Sequence, residues 1–267
     1  MSDPLVSVIV TLYNYENFIS DCIKSILKQD YANFELIVID DRSADRSYKR
    51  AKKYISDRVK VIRQKTNLGY SVAKNTGIIA SKGEYIILLD ADDMMTTGSI
   101  SCRVRAALLN NIEFVYADAI AIYDNMTLDK CYQLNTKYLP IYGDKESIKN
   151  RLPSLQHFPT PYEIHAQTVL AHRSLYKKFG LYDENLRSRS DREMWWRFFG
   201  QSEKDITNVS NIHVNEYVAY YRYHKASMTR FRVKNPDYNK TMRKIAEKMY
   251  EIRKSGINNT NTRFLKD

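Results

Sequence analysis

The sequence predicts an α/β fold built on a doubly wound sheet, and three observations carry that expectation. Short β-branched runs alternate with helix-period segments four times within the first 110 residues. Crossovers of that length favour parallel strands with helices on both faces of the sheet. The polar residues Thr11, Asp40, Asp41 and Asp90 to Asp93 fall at the carboxyl ends of the runs, where such sheets bind ligands.

The run "LVSVIVTLY" has strand length, and "ENFISDCIKSILKQ" after it sets Phe18, Ile19, Cys22, Ile23, Ile26 and Leu27 at helical spacing. "FELIVIDD" is a second buried strand, "SADRSYKRAKKYI" a helix with Ser43 as its cap, and "VKVIR" a third strand. "YSVAKNTGIIAS" reads as a helix and "EYIILLD" as the fourth strand. Beyond Asn110 the pattern loosens. "EFVYADAIAIY" reads as a strand, whereas residues 125 to 163 mix turn residues, aromatics and short helical pieces with no dominant period. "SLYKKFG" is a helix stopped by Gly180, and "SDREMWWRFF" a helix opened by a Ser190 to Glu193 capping box. A strand near "VNEYVAYYRYH" and a helix from Asp237 to Lys254 close the chain.

With 267 residues and 43% hydrophobic content, the chain can bury a substantial core. Three widely spaced cysteines, with no CxxC or cysteine–histidine ligand spacing, argue against a disulfide framework or structural zinc site and point to a reducing compartment. No leader-like start and no run of about eighteen apolar residues is present, so the expected location is cytoplasmic, with peripheral membrane contact left open. The net charge of +11 is uneven: from Arg222 onward 13 lysines and arginines face 4 carboxylates, against 29 and 27 before it. That basic tail is either the solvated face of an amphipathic helix or a surface for an anionic membrane or acidic acceptor. It lacks a recognisable nucleic-acid module, and no nucleic-acid partner is expected.

The stretch "IILLDADD" drives an apolar strand into three carboxylates. In an extended segment Asp90 and Asp92 point to the same side, where both can reach one hard cation. Magnesium or manganese suits such an all-oxygen site, with a diphosphate as the second ligand; the alternative is an acidic turn with capping roles. Asp93 either joins the cluster or caps the helix that follows.

In order and spacing, "VSVIVTLYNYENFISDCIKSILKQDYANFELIVIDDRSAD" and "NLGYSVAKNTGIIASKGEYIILLDADD" resemble the opening blocks of the family 2 glycosyltransferases, and with later matches the likeness runs from residue 5 to about 230. The resemblance implies a GT-A fold, a Rossmann-like doubly wound mixed sheet, with a C-terminal helical extension. Residues 1 to 225 would form the GT-A domain, split into a nucleotide-binding half (1–110) and an acceptor-binding half (111–225), and residues 226 to 267 the basic helical extension. It implies inverting, metal-dependent transfer from a UDP-sugar to an acceptor hydroxyl in glycan or polysaccharide synthesis, with Mn2+ or Mg2+ as cofactor. The acceptor would be a glycan, or lipid-linked or protein-linked.

Carried over residue by residue, the resemblance sets Thr11 and Tyr13 in the base pocket, Asp41 as acceptor for the base's imide N–H, Asn67 in the Asn-x-Gly turn of the donor site and Lys74 near the phosphates. Asp92 would ligate the metal directly, with Asp90 helping through the ribose or a metal-bound water. Asp191 would be the general base, with Ser190 standing where many members have glutamate. His224 in "YRYHKASMTR" would reach the metal or diphosphate, Arg222 or Lys225 would offset leaving-group charge, and His165 would lie near the acceptor. Of Trp195 and Trp196, one would sit in the core and one stack on sugar. Two alternatives stay open: a nucleotidyltransferase, against which the glycine-free "TLYNYENF" counts, and a non-catalytic nucleotide- or carbohydrate-binding protein descended from a transferase.

Overall fold

The structure, a computed structural model, describes residues 3–123, 125–132, 164–186, 188–200, 207–227 and 235–254. Four parallel strands, β1 (Val6–Leu12), β2 (Phe34–Asp40), β3 (Val59–Arg63) and β4 (Tyr85–Asp90), form one half of an eight-stranded sheet in the order 3-2-1-4. Their β-branched residues explain the strand conformation and, in β1, β2 and β4, the burial on two faces; the edge strand β3 is buried only at Val59. Val8 and Val10 point to one side, against helix α1 (Ile19–Leu27); Ile9 and Ile37 point to the other, where helix α3 (Tyr70–Ala80) lies. The expected doubly wound arrangement is present.

From β4 the sheet continues through strands that make it mixed. Strand β7 (Leu170–His172) pairs antiparallel with both β4 and β6 (Phe114–Tyr123), β8 (Asn211–Tyr223) runs parallel to β6, and β5 (Met94–Met95) closes the edge antiparallel to β8. Helix α4 (Ser99–Asn110) joins α1 on the first face, while α6 (Arg173–Phe179) and α7 (Ser190–Phe199) cover the second. Helix α8 (Pro236–Lys254) packs Ala246 and Tyr250 against Leu186 and Trp196. Short helices α2 (Ser47–Ala51) and α5 (Leu128–Tyr132) and 3-10 turns at Lys52–Tyr54 and Ala166–Thr168 complete the described elements. Among the described residues no helix is long and apolar enough to cross a membrane.

Several local expectations change. Helix α2 starts at Ser47, not at Ser43; the Ser43 hydroxyl accepts from the Asn14 amide at 3.0 Å instead, tying the β1–α1 loop to the end of β2. Gly180 does end α6, at φ +80. No capping box opens α7: Ser190 is its first residue, and its buried hydroxyl has no hydrogen-bond partner among the described residues. Glu193 turns inward to Arg197, accepting at 2.8 and 2.9 Å, and Arg197 in turn donates to the carbonyls of Gly180 and Leu181. Both tryptophans are buried, Trp195 against Phe114 and Phe198 and Trp196 beneath Tyr250. Neither is open to stack on sugar.

Helix α3 lies so close to β1 that a Cβ on Gly77 would sit 2.2 Å from Ile9 Cγ2. Gly77→Ala therefore forces a fully buried side chain out of its rotamer, at a cost of about 1–3 kcal/mol, against which better helix propensity returns about 1 kcal/mol. The expected outcome is a lower urea midpoint with an unchanged slope.

Candidate active site

The ends of the parallel strands are level: Thr11 is in register with Asp90, and Leu12 with Asp40. The Thr11 hydroxyl donates to Asp90 Oδ1 at 2.9 Å. Past β4 the chain turns at once, with the Asp93 amide donating to the Asp90 carbonyl at 3.0 Å. This turn brings one oxygen each of Asp90, Asp92 and Asp93 within 4.8 Å of one another. Burial, then the Asp92 charge, pushes the Asp90 carboxyl up to about 6, and burial with both neighbours raises Asp93 well above the usual range. Asp93 Oδ2 is buried and has no hydrogen-bond partner among the described residues. Three converging carboxylates, one of which also carries a buried oxygen with no partner among the described residues, fit a divalent cation of the magnesium or manganese kind. Asp93 is thus part of the cluster, not a helix cap; α4 begins after Gly98.

The opposite wall comes from the end of β8. The Arg222 amide donates to Asp93 Oδ1 at 2.8 Å, its Nε to the Asp92 carbonyl at 2.8 Å and its Nη1 to the Met126 carbonyl at 2.6 Å. These contacts hold the acidic turn in place. His224 Nε2 lies 2.8 Å from Asp92 Oδ2, its ring packed against Phe18 and Tyr15. A neutral imidazole and a carboxylate at that spacing can share a cation as well as a proton. Tyr15 bonds to Asp92 and Tyr70 to Asp90; burial raises both phenols, so both stay protonated donors. Lys225 is exposed. Sequence reasoning missed Tyr15, Tyr70 and the clamping role of Arg222, because nothing in their spacing links them to the aspartates.

Lys74 and Asp191 meet. The fully buried Lys74 ammonium on α3 pairs with Asp191 Oδ1 at the start of α7. It also lies 3.8 Å from the Tyr70 ring centre and 4.5 Å from that of Tyr182. Its charge reaches Asp90 too, opposing the upward push there.

Asp41 is buried beside this centre. Its Oδ1 accepts from the Leu68 amide at 2.8 Å and Gln64 Nε2 at 3.1 Å, its Oδ2 from the Gly69 amide at 2.8 Å, and Asn67 donates to its carbonyl at 3.2 Å. Asp41 and Asn67 thus shape the turn into α3, where Gly69 at φ +96 suits a residue without a Cβ. Oδ2 keeps an open lone pair for a ligand donor. Tyr13 stands half-exposed at the end of β1. A cleft of about 270 Å3 opens between Leu68–Ser71 and Glu184–Leu186, next to Tyr70. Of the remaining histidines, His165 packs on Tyr221, His213 pairs with Asp118 and His172 with Glu84, while His157 lies outside the described residues.

Comparison with known proteins matches this architecture. The profile of glycosyl transferase family 2 fits residues 7–177. An uncharacterized glycosyltransferase of Rickettsia typhi is 31% identical over 215 residues, 79% of this chain and 64% of that protein. The UDP-Glc:alpha-D-GlcNAc-diphosphoundecaprenol beta-1,3-glucosyltransferase WfgD of Escherichia coli is 36% identical over 130 residues, 49% of this chain and 51% of that one. Among solved structures, the mannosyltransferase PcManGT of Pyrobaculum calidifontis, in complex with GDP-Man and Mn2+, aligns over 87% of this chain and 61% of its own with a TM-score of 0.64 at 17% identity. The S. aureus TarS complex with UDP-GlcNAc covers 83% of this chain and 59% of its own, with a TM-score of 0.62 at 20% identity. These structural likenesses show the GT-A fold. The chain spans between 51% and 64% of the length of these relatives. The chain belongs to glycosyl transferase family 2.

Proposed function

We propose that the chain transfers a sugar from a UDP-sugar to an acceptor hydroxyl with inversion, dependent on Mn2+ or Mg2+, in glycan or polysaccharide synthesis. The observation that carries this reading is the convergence of Asp90, Asp92 and Asp93 beside His224, within one rim that also holds Asp191. Relatives named for UDP-Glc and solved with UDP-GlcNAc support a uridine donor, and the neighbour solved with Mn2+ supports the cation. Asp92 and His224 would hold the ion, with Asp90 and Asp93 beside them. When bound, such a cation offsets the charge that builds on the departing diphosphate.

The chain's own groups do the rest. Asp41 Oδ2 offers an acceptor to the base, with Thr11, Tyr13 and Asn67 around it, and Lys74 supplies positive charge toward the phosphates. Asp191, at the first turn of α7 and partly exposed, takes the proton of the acceptor hydroxyl as its oxygen attacks the anomeric carbon and the bond to UDP breaks. Direct displacement forms no covalent sugar–enzyme intermediate and inverts the anomeric configuration. The acceptor is a glycan, free or carried on a lipid or protein.

The test is UDP release from a panel of UDP-sugars. Turnover is expected with Mn2+ or Mg2+ and loss of it with EDTA, restored by excess metal; activity indifferent to chelation would remove the metal-dependent reading. Three unpaired cysteines among the described residues support a cytoplasmic setting. Exposed Lys240, Lys244 and Lys248 on α8 support peripheral contact with an anionic membrane. Vesicles rich in anionic lipid should pellet the protein at low salt and release it at high salt, and absence of pelleting at both would remove that contact.

A further inference from the structure

Lys74 stands between two claims on its charge. Its ammonium is held by the rings of Tyr70 and Tyr182 and by Asp191 Oδ1, while its field reaches Asp90 on the donor side of the rim. The two partners differ in exposure: the Lys74 side chain is 1% exposed and that of Asp191 27%. Asp191 thus faces the open side, from which an acceptor would arrive, with one of its oxygens already occupied by a cation. That oxygen is shared with the Lys74 ammonium before any acceptor hydroxyl reaches it. A lysine ammonium on its flexible stem has three donors and can move between anionic partners.

We infer that Lys74 couples donor arrival to release of the base: without donor its ammonium holds Asp191, and an incoming diphosphate draws the ammonium away and frees Asp191 to accept the acceptor's proton. The inference rests on the UDP-sugar reading above. It gives the reaction an order, donor before acceptor, and it restrains the base while no sugar is in place. No covalent step is involved; one ion pair is exchanged for another.

The experiment is calorimetric titration of UDP with Mn2+ into the wild type, Asp191→Asn, Lys74→Met and the double variant. Asp191→Asn should bind UDP at least about fivefold more tightly, since the competing anion is gone. Lys74→Met should bind about tenfold more weakly. In the Lys74→Met background, Asp191→Asn should change affinity by less than about twofold. Equal tightening in both backgrounds would mean plain repulsion between Asp191 and the nucleotide, and would overturn the inference. Unchanged or weaker binding by Asp191→Asn would overturn it as well, while leaving the donor reading intact. Failure of the wild type to bind UDP would overturn the donor reading itself. Should Lys74→Met not fold, Lys74→Gln takes its place. A crystal structure of the wild-type UDP–Mn2+ complex decides independently: Lys74 on a phosphate oxygen supports the exchange, and an intact Lys74–Asp191 pair overturns it.

Discussion

Asp92→Asn lowers UDP release from the preferred UDP-sugar by about a thousandfold, and Mn2+ no longer strengthens UDP binding. Asp92 is the carboxylate on which the site converges: its Oδ2 lies 2.8 Å from His224, its backbone carbonyl receives Arg222, and Tyr15 bonds to its side chain. A carboxamide keeps the shape but loses the charge that binds a hard cation. The decisive control is stability. Asp92 repels both Asp90 and Asp93, so in the absence of metal the variant should melt no lower than the wild type. Turnover within about threefold of the wild type, in a variant that melts normally, would move the metal away from this turn.

The second large effect separates chemistry from binding. Asp191→Asn should cost about 10²- to 10⁴-fold in turnover, the usual contribution of a positioned general base, with UDP still bound. The variant keeps the length and polarity of the side chain at the first turn of α7, and removes its capacity to take a proton together with the charge that pairs with Lys74. Asp191→Glu should recover part of the loss if its carboxylate reaches the same hydroxyl. Loss of UDP binding together with turnover in Asp191→Asn would assign the residue to the donor site instead.

Much of the first half of the fold was legible because buried parallel strands and amphipathic helices carry their period locally. Val8, Ile9 and Val10 are apolar on both faces, and the strand ends deliver Asp41 and Asp90 to one edge for the same topological reason. The site itself was legible only where it is contiguous. Lys74 and Asp191 are 117 positions apart, and Arg222 reaches Asp92 across 130; no spacing rule links them. Strands β5 and β7, two and three residues long, are too short to display a period. At Ser190 and Glu193 a valid local pattern lost to tertiary demand, because Glu193 is needed to neutralise the buried Arg197. The tryptophan pair misled for a related reason: α7 is buried along most of its length, which leaves neither ring an open face.

The clamp that Arg222 and His224 place on the acidic turn bears on how the molecule is made. Both come from the far end of the polypeptide, and strand β5 gains its sheet partner only from Tyr220 and Ala219. A nascent chain emerging from the ribosome can pair its first four strands early. The acidic turn meets Arg222 and His224 only once β8 has emerged and slotted in between β6 and β5. Any fragment ending at residue 177, where the family profile stops, therefore holds the aspartates but not the lock that aligns them.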